Sequence, residues 1–283
     1  MKNALPAMLT IALVLLGLPL LGLPPPATAQ TVGRTLPING MEMYFESTGK
    51  GEPLVLLHGF GGCGRDWQAF SGALSTRFRV IVPDLRGHGR STDPLEAFSH
   101  RQAAADVFAL LDHLGIVRFK AIGISSGGMT LLHMATGQPS RVEAMVLVGA
   151  GAYFPEQARK ITRAAAEHGP RPADLDYFRR CASRGEPQAR ALAKQFAGFS
   201  RSYDDVNFTP PLLGTIRART LIVHGDRDEF FPVSMPVEMY GAIPGSALWI
   251  VPEGPHVPIF GAHAAQFRET ALRFLQASPS PPK

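Results

Sequence analysis

At 283 residues, 45% hydrophobic and 18% charged, with 29 glycines and 25 prolines, the chain is too apolar for a disordered tail and too often interrupted for a coiled coil. Its length suits one α/β core with an insertion, and no repeat of solenoid or propeller spacing runs through it. The net charge of +5 comes from arginines scattered among acids without a basic block, which speaks against nucleic acid as a partner.

Lys2 opens the chain with positive charge, residues 7–23 are apolar and uncharged, and Ala27-Thr28-Ala29 supplies the small residues that a signal peptidase reads. Residues 1–29 are therefore expected to be an export signal, and the mature protein to be secreted or periplasmic with no stable membrane anchor. Prolines at 19 and 24–26 weigh against a retained span. Asn39-Gly40 predicts a hairpin between strands at 31–37 and 41–47. Aliphatic runs at 53–57, 79–82, 119–124, 144–148, 220–223 and 247–251 read as buried strands. Ser99 can cap a helix through Leu114, which stops at Gly115, and a last helix is expected over 258–276. The fold class is α/β: a mostly parallel eight-stranded sheet with helices on both faces. Its core occupies 30–152 and 219–276, interrupted by a helical cap at 153–218, with a disordered tail at 277–283. Cys63 and Cys181 cannot alone build a metal cluster; export makes a bridge between them possible, and two free thiols are the alternative.

Gly123-Ile124-Ser125-Ser126-Gly127 lies directly between an apolar strand and a helical run. A nucleophile on so tight a turn needs residues without bulk two positions before and after it, which Ser125 has and Ser126, with Ile124 at that place, lacks. A serine hydroxyl needs a base and a group that orients the base. His224-Gly225-Asp226-Arg227-Asp228 follows the penultimate strand, and Gly254-Pro255-His256 follows the last.

In this order the residues resemble the α/β-hydrolase superfamily, in its serine esterase and lactonase-like branch with a helical cap. His58-Gly59-Phe60-Gly61-Gly62 is similar to that family's oxyanion loop, and the stretch from Asp84 to Ser91 to its D-x-R-G-x-G-x-S turn. The resemblance implies Ser125 as nucleophile, His256 as base and Asp228 as orienting acid, with Asp226 as the alternative acid on the same loop. It also implies oxyanion donors in the backbone N–H groups of Phe60 and Ser126. Phe60 and Ile124 are expected in the substrate pocket, and Trp67 in its wall or in the core. Structural roles are expected for His58, His88, His133, His224 and His263, and for the Asp84 and Arg86 turn. Arg159, Arg163, Arg179 and Arg180 are read as an exposed face of the cap. The implied activity is cleavage of small-molecule carboxylic esters or lactones through an acyl-enzyme, with no metal or organic cofactor and no partner beyond the substrate. Ser125 argues against dehalogenases and epoxide hydrolases, which use an aspartate. Carbon–carbon bond hydrolysis, perhydrolysis, aminopeptidase activity and a non-catalytic ligand receptor remain the alternatives.

Overall fold

Asn39 and Gly40 both take positive φ, 45° and 76°, in the two-residue turn whose twist matches the strands it joins. They fold β1 (Val32–Ile38) antiparallel onto β2 (Met41–Thr48). The computed structural model describes residues 31–277, so the expected export segment and all of the expected tail but Ala277 lie outside the described residues.

After the hairpin come β3 (Glu52–Leu57), α1 (Gln68–Ser75), β4 (Phe78–Pro83), α2 (His100–His113), β5 (Phe119–Ile124), α3 (Ser126–Gly137) and β6 (Val142–Val148). Three helices then interrupt the alternation: α4 (Glu156–His168), α5 (Pro172–Cys181) and α6 (Glu186–Gly198). A short α7 (Pro210–Leu213) leads back to β7 (Arg219–Gly225), α8 (Ser234–Ala242), β8 (Ala247–Val251) and α9 (Ala264–Gln276). The sheet order is β1-β2-β4-β3-β5-β6-β7-β8. β2 pairs antiparallel with β1 and β4, and every other neighbouring pair is parallel. All eight expected strands are present, each end within two residues of its sequence reading.

Alternation along the central strands builds a core on each face. Val55, Leu57 and Ala121 join the cluster containing Leu110 of α2 and Leu131 of α3. Leu54, Leu56 and Ile122 join the cluster containing Phe70 of α1 and Phe267 of α9. Ser99 caps α2 as expected, its hydroxyl accepting from the Gln102 N–H at 3.1 Å.

Three expectations need correction. The last helix begins at Ala264, after a 3₁₀ turn at Gly261–His263, because Pro255 and Pro258 hold the preceding chain out of helical continuity. Trp67 is not in the pocket wall: the 3₁₀ turn Gly64–Trp67 carries the chain down from β3, and the fully buried indole packs against Phe70 in the core. Arg159 is not exposed. It is 7% exposed and donates to the carbonyls of Phe154, Ser200 and Ser202 at 2.9–3.0 Å, binding the two ends of the helical insertion together. The insertion is also tied to the core. Arg184 and Gln188 donate to the Ser91 and Gly87 carbonyls, and a disulfide joins Cys181, at the end of α5, to Cys63 beyond β3.

Candidate active site

β5 delivers Ser125 to the carboxyl edge of the sheet, where the chain turns at once into α3. Ser125 adopts φ 49° and ψ −114°, a backbone that costs a non-glycine residue of order 1–3 kcal/mol and is retained where the surroundings enforce it. The flanking glycines explain how it is enforced. A Cβ on Gly123 would lie 2.5 Å from the Gly127 carbonyl oxygen, and one on Gly127 would lie 2.3 Å from that of Leu57, so only bare backbone lets strand and helix approach this closely.

The loops after β7 and β8 bring their polar residues to the same place. The Ser125 Oγ lies 2.9 Å from the His256 Nε2, and the His256 Nδ1 lies 2.8 Å from the Asp228 Oδ2. The other Asp228 oxygen accepts the N–H groups of Phe230 and Phe231 at 2.7 and 3.0 Å, so the carboxylate is buried but well satisfied. Because an ionised carboxylate accepts only, the His256 Nδ1 carries its proton and Nε2 is left to accept from the serine. Asp226, the alternative acid, instead accepts the Gly254 N–H at 3.2 Å and has no contact with His256.

Phe60 and Ser126 face the same space, and their backbone N–H groups donate to no acceptor among the described residues. Above them is a cavity of about 430 Å³ whose lining includes Ile124 as well as Ser125 and His256. Phe154 ahead of α4, Phe178 of α5, Phe196 of α6 and Phe199 beyond it reach in from the insertion, and Phe230 and Phe231 come from the loop of the core after β7. Sequence reading missed this aromatic wall. Only Phe230 and Phe231 carried a signal, by standing next to the acid. The charged residues of the lining, Arg171, Asp174 and Glu229, lie toward solvent: Arg171 is 73% exposed and paired with Asp174 through two hydrogen bonds at 2.7 and 2.8 Å.

The remaining histidines hold the frame. The His58 Nδ1 donates to the Gly59 carbonyl and its Nε2 accepts the Leu85 N–H, joining the loops after β3 and β4. His88 donates to the Arg86 carbonyl, and complete burial, with His58 alongside, pushes its pKa down to about 3. The His224 Nε2 lies 2.9 Å from the Phe231 carbonyl, and burial lowers its pKa. His133 lies on α3 and His263 in the 3₁₀ turn before α9. Asp84 accepts the N–H groups of Gly64 and Arg90, and Arg86 clasps Asp106 of α2 through two bonds, a turn network away from the cavity.

Known proteins share this architecture. The α/β hydrolase fold family matches residues 52–166. A soluble epoxide hydrolase of Corynebacterium sp. (strain C12) is 36% identical over 142 residues, 48% of this chain and 50% of that protein. The dihydrolipoyllysine-residue acetyltransferase component of the acetoin cleaving system of Pseudomonas putida is 30% identical over 275 residues, 89% of this chain and 70% of that protein. The enol-lactonase of Burkholderia xenovorans LB400 superposes with a TM-score of 0.72 at 24% identity, covering 86% of this chain and 100% of its own. With the elbow, the strand order and these relatives in agreement, the chain belongs to the α/β-hydrolase fold family.

Proposed function

We propose that the protein is an exported serine hydrolase that cleaves neutral carboxylic esters, lactones included, whose acyl or alcohol group is apolar. The observation that carries this reading is the continuous hydrogen-bonded line from Ser125 through His256 to Asp228, opening on a cavity walled by phenylalanine. Ser125 Oγ attacks the carbonyl carbon while its proton passes to His256 Nε2. Asp228 keeps the imidazole in the accepting tautomer and stabilises its transient charge. The oxyanion is met by the Phe60 and Ser126 N–H groups, each worth about 3 kcal/mol if aimed at it. Collapse of the tetrahedral species breaks the bond to the alcohol oxygen, which takes the proton from His256. Water, deprotonated by the same nitrogen, then attacks the acyl-serine and restores Ser125 as the acid leaves.

A substrate with its own charge near the scissile bond would set that charge against aromatic rings without a partner, a penalty of several kcal/mol. This favours neutral esters over carbon–carbon substrates that bear a carboxylate. The Cys63–Cys181 bridge supports export, since such bonds persist in oxidising compartments. The test is steady-state hydrolysis of matched p-nitrophenyl esters. A neutral hexanoate or benzoate should exceed a hemisuccinate in kcat/KM at least about tenfold, and Ser125→Ala should remove the activity. Turnover that survives Ser125→Ala, or none on any neutral ester by the folded wild type, would overturn the reading.

A further inference from the structure

Behind the elbow lies a second serine–histidine–aspartate line that the mechanism has not used. His100, fully buried as the first residue of α2, has its Nε2 3.0 Å from the Ser126 Oγ and its Nδ1 2.6 Å from the Asp205 Oδ2. Asp205 belongs to the segment returning from the helical insertion. It also accepts the N–H groups of His100 and Arg101 at 2.9 and 3.1 Å, and its own carbonyl lies 2.5 Å from the His133 Nε2 on α3. Burial alone would raise the Asp205 carboxyl, but the hydrogen bonds and charge of His100 overcome it and hold the pKa at about 2. The carboxylate is therefore ionised and fixes the proton on His100 Nδ1. The Ser126 hydroxyl, which can donate or accept, completes the line at Nε2 whichever charge the ring carries.

We propose that His100 and Asp205 are positioning residues that hold the Ser126 N–H on the developing oxyanion. The proposal rests on the hydrolase reading above. The first N–H groups of a helix have no intrahelical acceptor, so the Ser126 N–H is aimed through its own peptide plane, whose Ser125 carbonyl accepts the Met129 N–H of α3 at 2.9 Å. The preceding residue is Ser125 in its positive-φ backbone, which the site must hold rather than relax. A tether on the Ser126 side chain to a buried, carboxylate-anchored ring adds a second restraint on the peptide between the two serines, at its N–H end. The same ring packs 5.4 Å from Phe199 and 6.0 Å from Phe154, centroid to centroid, both in the cavity wall. One residue thus joins the returning insertion, the aromatic wall and the oxyanion donor.

The test uses the full-length mature protein, an ester it turns over, and an aryl trifluoromethyl ketone, whose carbonyl accepts Ser125 to form a hemiketal oxyanion in the donor site. Ser126→Ala, which retains the N–H and removes the tether, and His100→Phe, which retains the ring, should each lower kcat about tenfold with KM changed less than about twofold. Ketone affinity should weaken by the same factor as kcat/KM. The double variant should lose no more than either single one, because both remove one tether. Ser126→Ala alters a single atom and serves if His100→Phe does not fold. Unchanged kcat in Ser126→Ala, a loss of kcat with ketone affinity intact, or additive losses in the double variant would overturn the proposal. Absence of wild-type ester turnover would instead defeat the hydrolase reading.

Discussion

At the residue scale, the loop after β7 offers two acids with different partners: Asp228 meets His256, while Asp226 accepts the Gly254 N–H and lies 4.0 Å from the Arg227 guanidinium. Asp228→Asn keeps the shape but can donate to Nδ1, which moves the imidazole proton to Nε2, where it can no longer accept from serine. Its kcat should fall about 10³–10⁴-fold. Asp226→Ala should stay within about threefold of wild type in the same ester assay; equal losses in the two variants would undo the assignment. Ser125 was legible from the glycines two positions before and after it, and His256 and Asp228 from the order in which they follow the last two strands, the choice of Asp228 over Asp226 resting on the family resemblance. His100 and Asp205 were not. They lie 26 and 79 positions from Ser126 along the chain, with no motif around either, and only folding brings them together.

At the scale of elements, the helical insertion is fastened beside the candidate oxyanion loop. The disulfide closes a separation of 118 residues between Cys63, just beyond that loop, and α5, which supplies Tyr177 and Phe178 to the cavity. Phe178 packs so close to Gly61 that a Cβ there would lie 2.2 Å from its ring. A native crosslink typically contributes about 2–4 kcal/mol. Replacing both cysteines by alanine should therefore lower the thermal midpoint by roughly 5–15 °C. It should also raise KM for bulky aryl esters more than for acetate, because the α5 wall loosens. A calorimetric midpoint and KM values unchanged in the double variant would show that packing alone seats the insertion. Strands and the first hairpin were readable because β-branched runs and Asn39-Gly40 carry their own period and turn. The short helices α1 and α8 were not, since Gly72, Ser71 and Pro236 blur their helical signal while packing against the sheet decides it. Trp67 and Arg159 were misplaced for the same reason: whether a side chain in a connecting turn or on an amphipathic helix faces solvent depends on a neighbour distant in sequence.

At the scale of the whole molecule, stability should depend on pH through histidines buried in neutral form. Burial pushes the His88 pKa down to about 3 and lowers those of His133 and His224. Between about pH 3 and 6.5 the unfolded chain binds a proton at position 88 that the folded one does not, so stability falls as pH drops through that window, by up to about 1.4 kcal/mol per pH unit for this group. Urea unfolding at pH 7 and 4.5 should show the loss, and His88→Gln should reduce it; an identical pH dependence in the variant would remove His88 as its source. The convergence of three distant side chains at the sheet edge is the claim on which the functional account stands. It is tested most directly by treating the folded protein with a fluorophosphonate and mapping the adduct by peptide mass spectrometry. The account predicts one stoichiometric adduct on Ser125, lost in Ser125→Ala and slowed at least about 10²-fold in His256→Ala. An adduct on another residue, or none on the folded wild type, would contradict it.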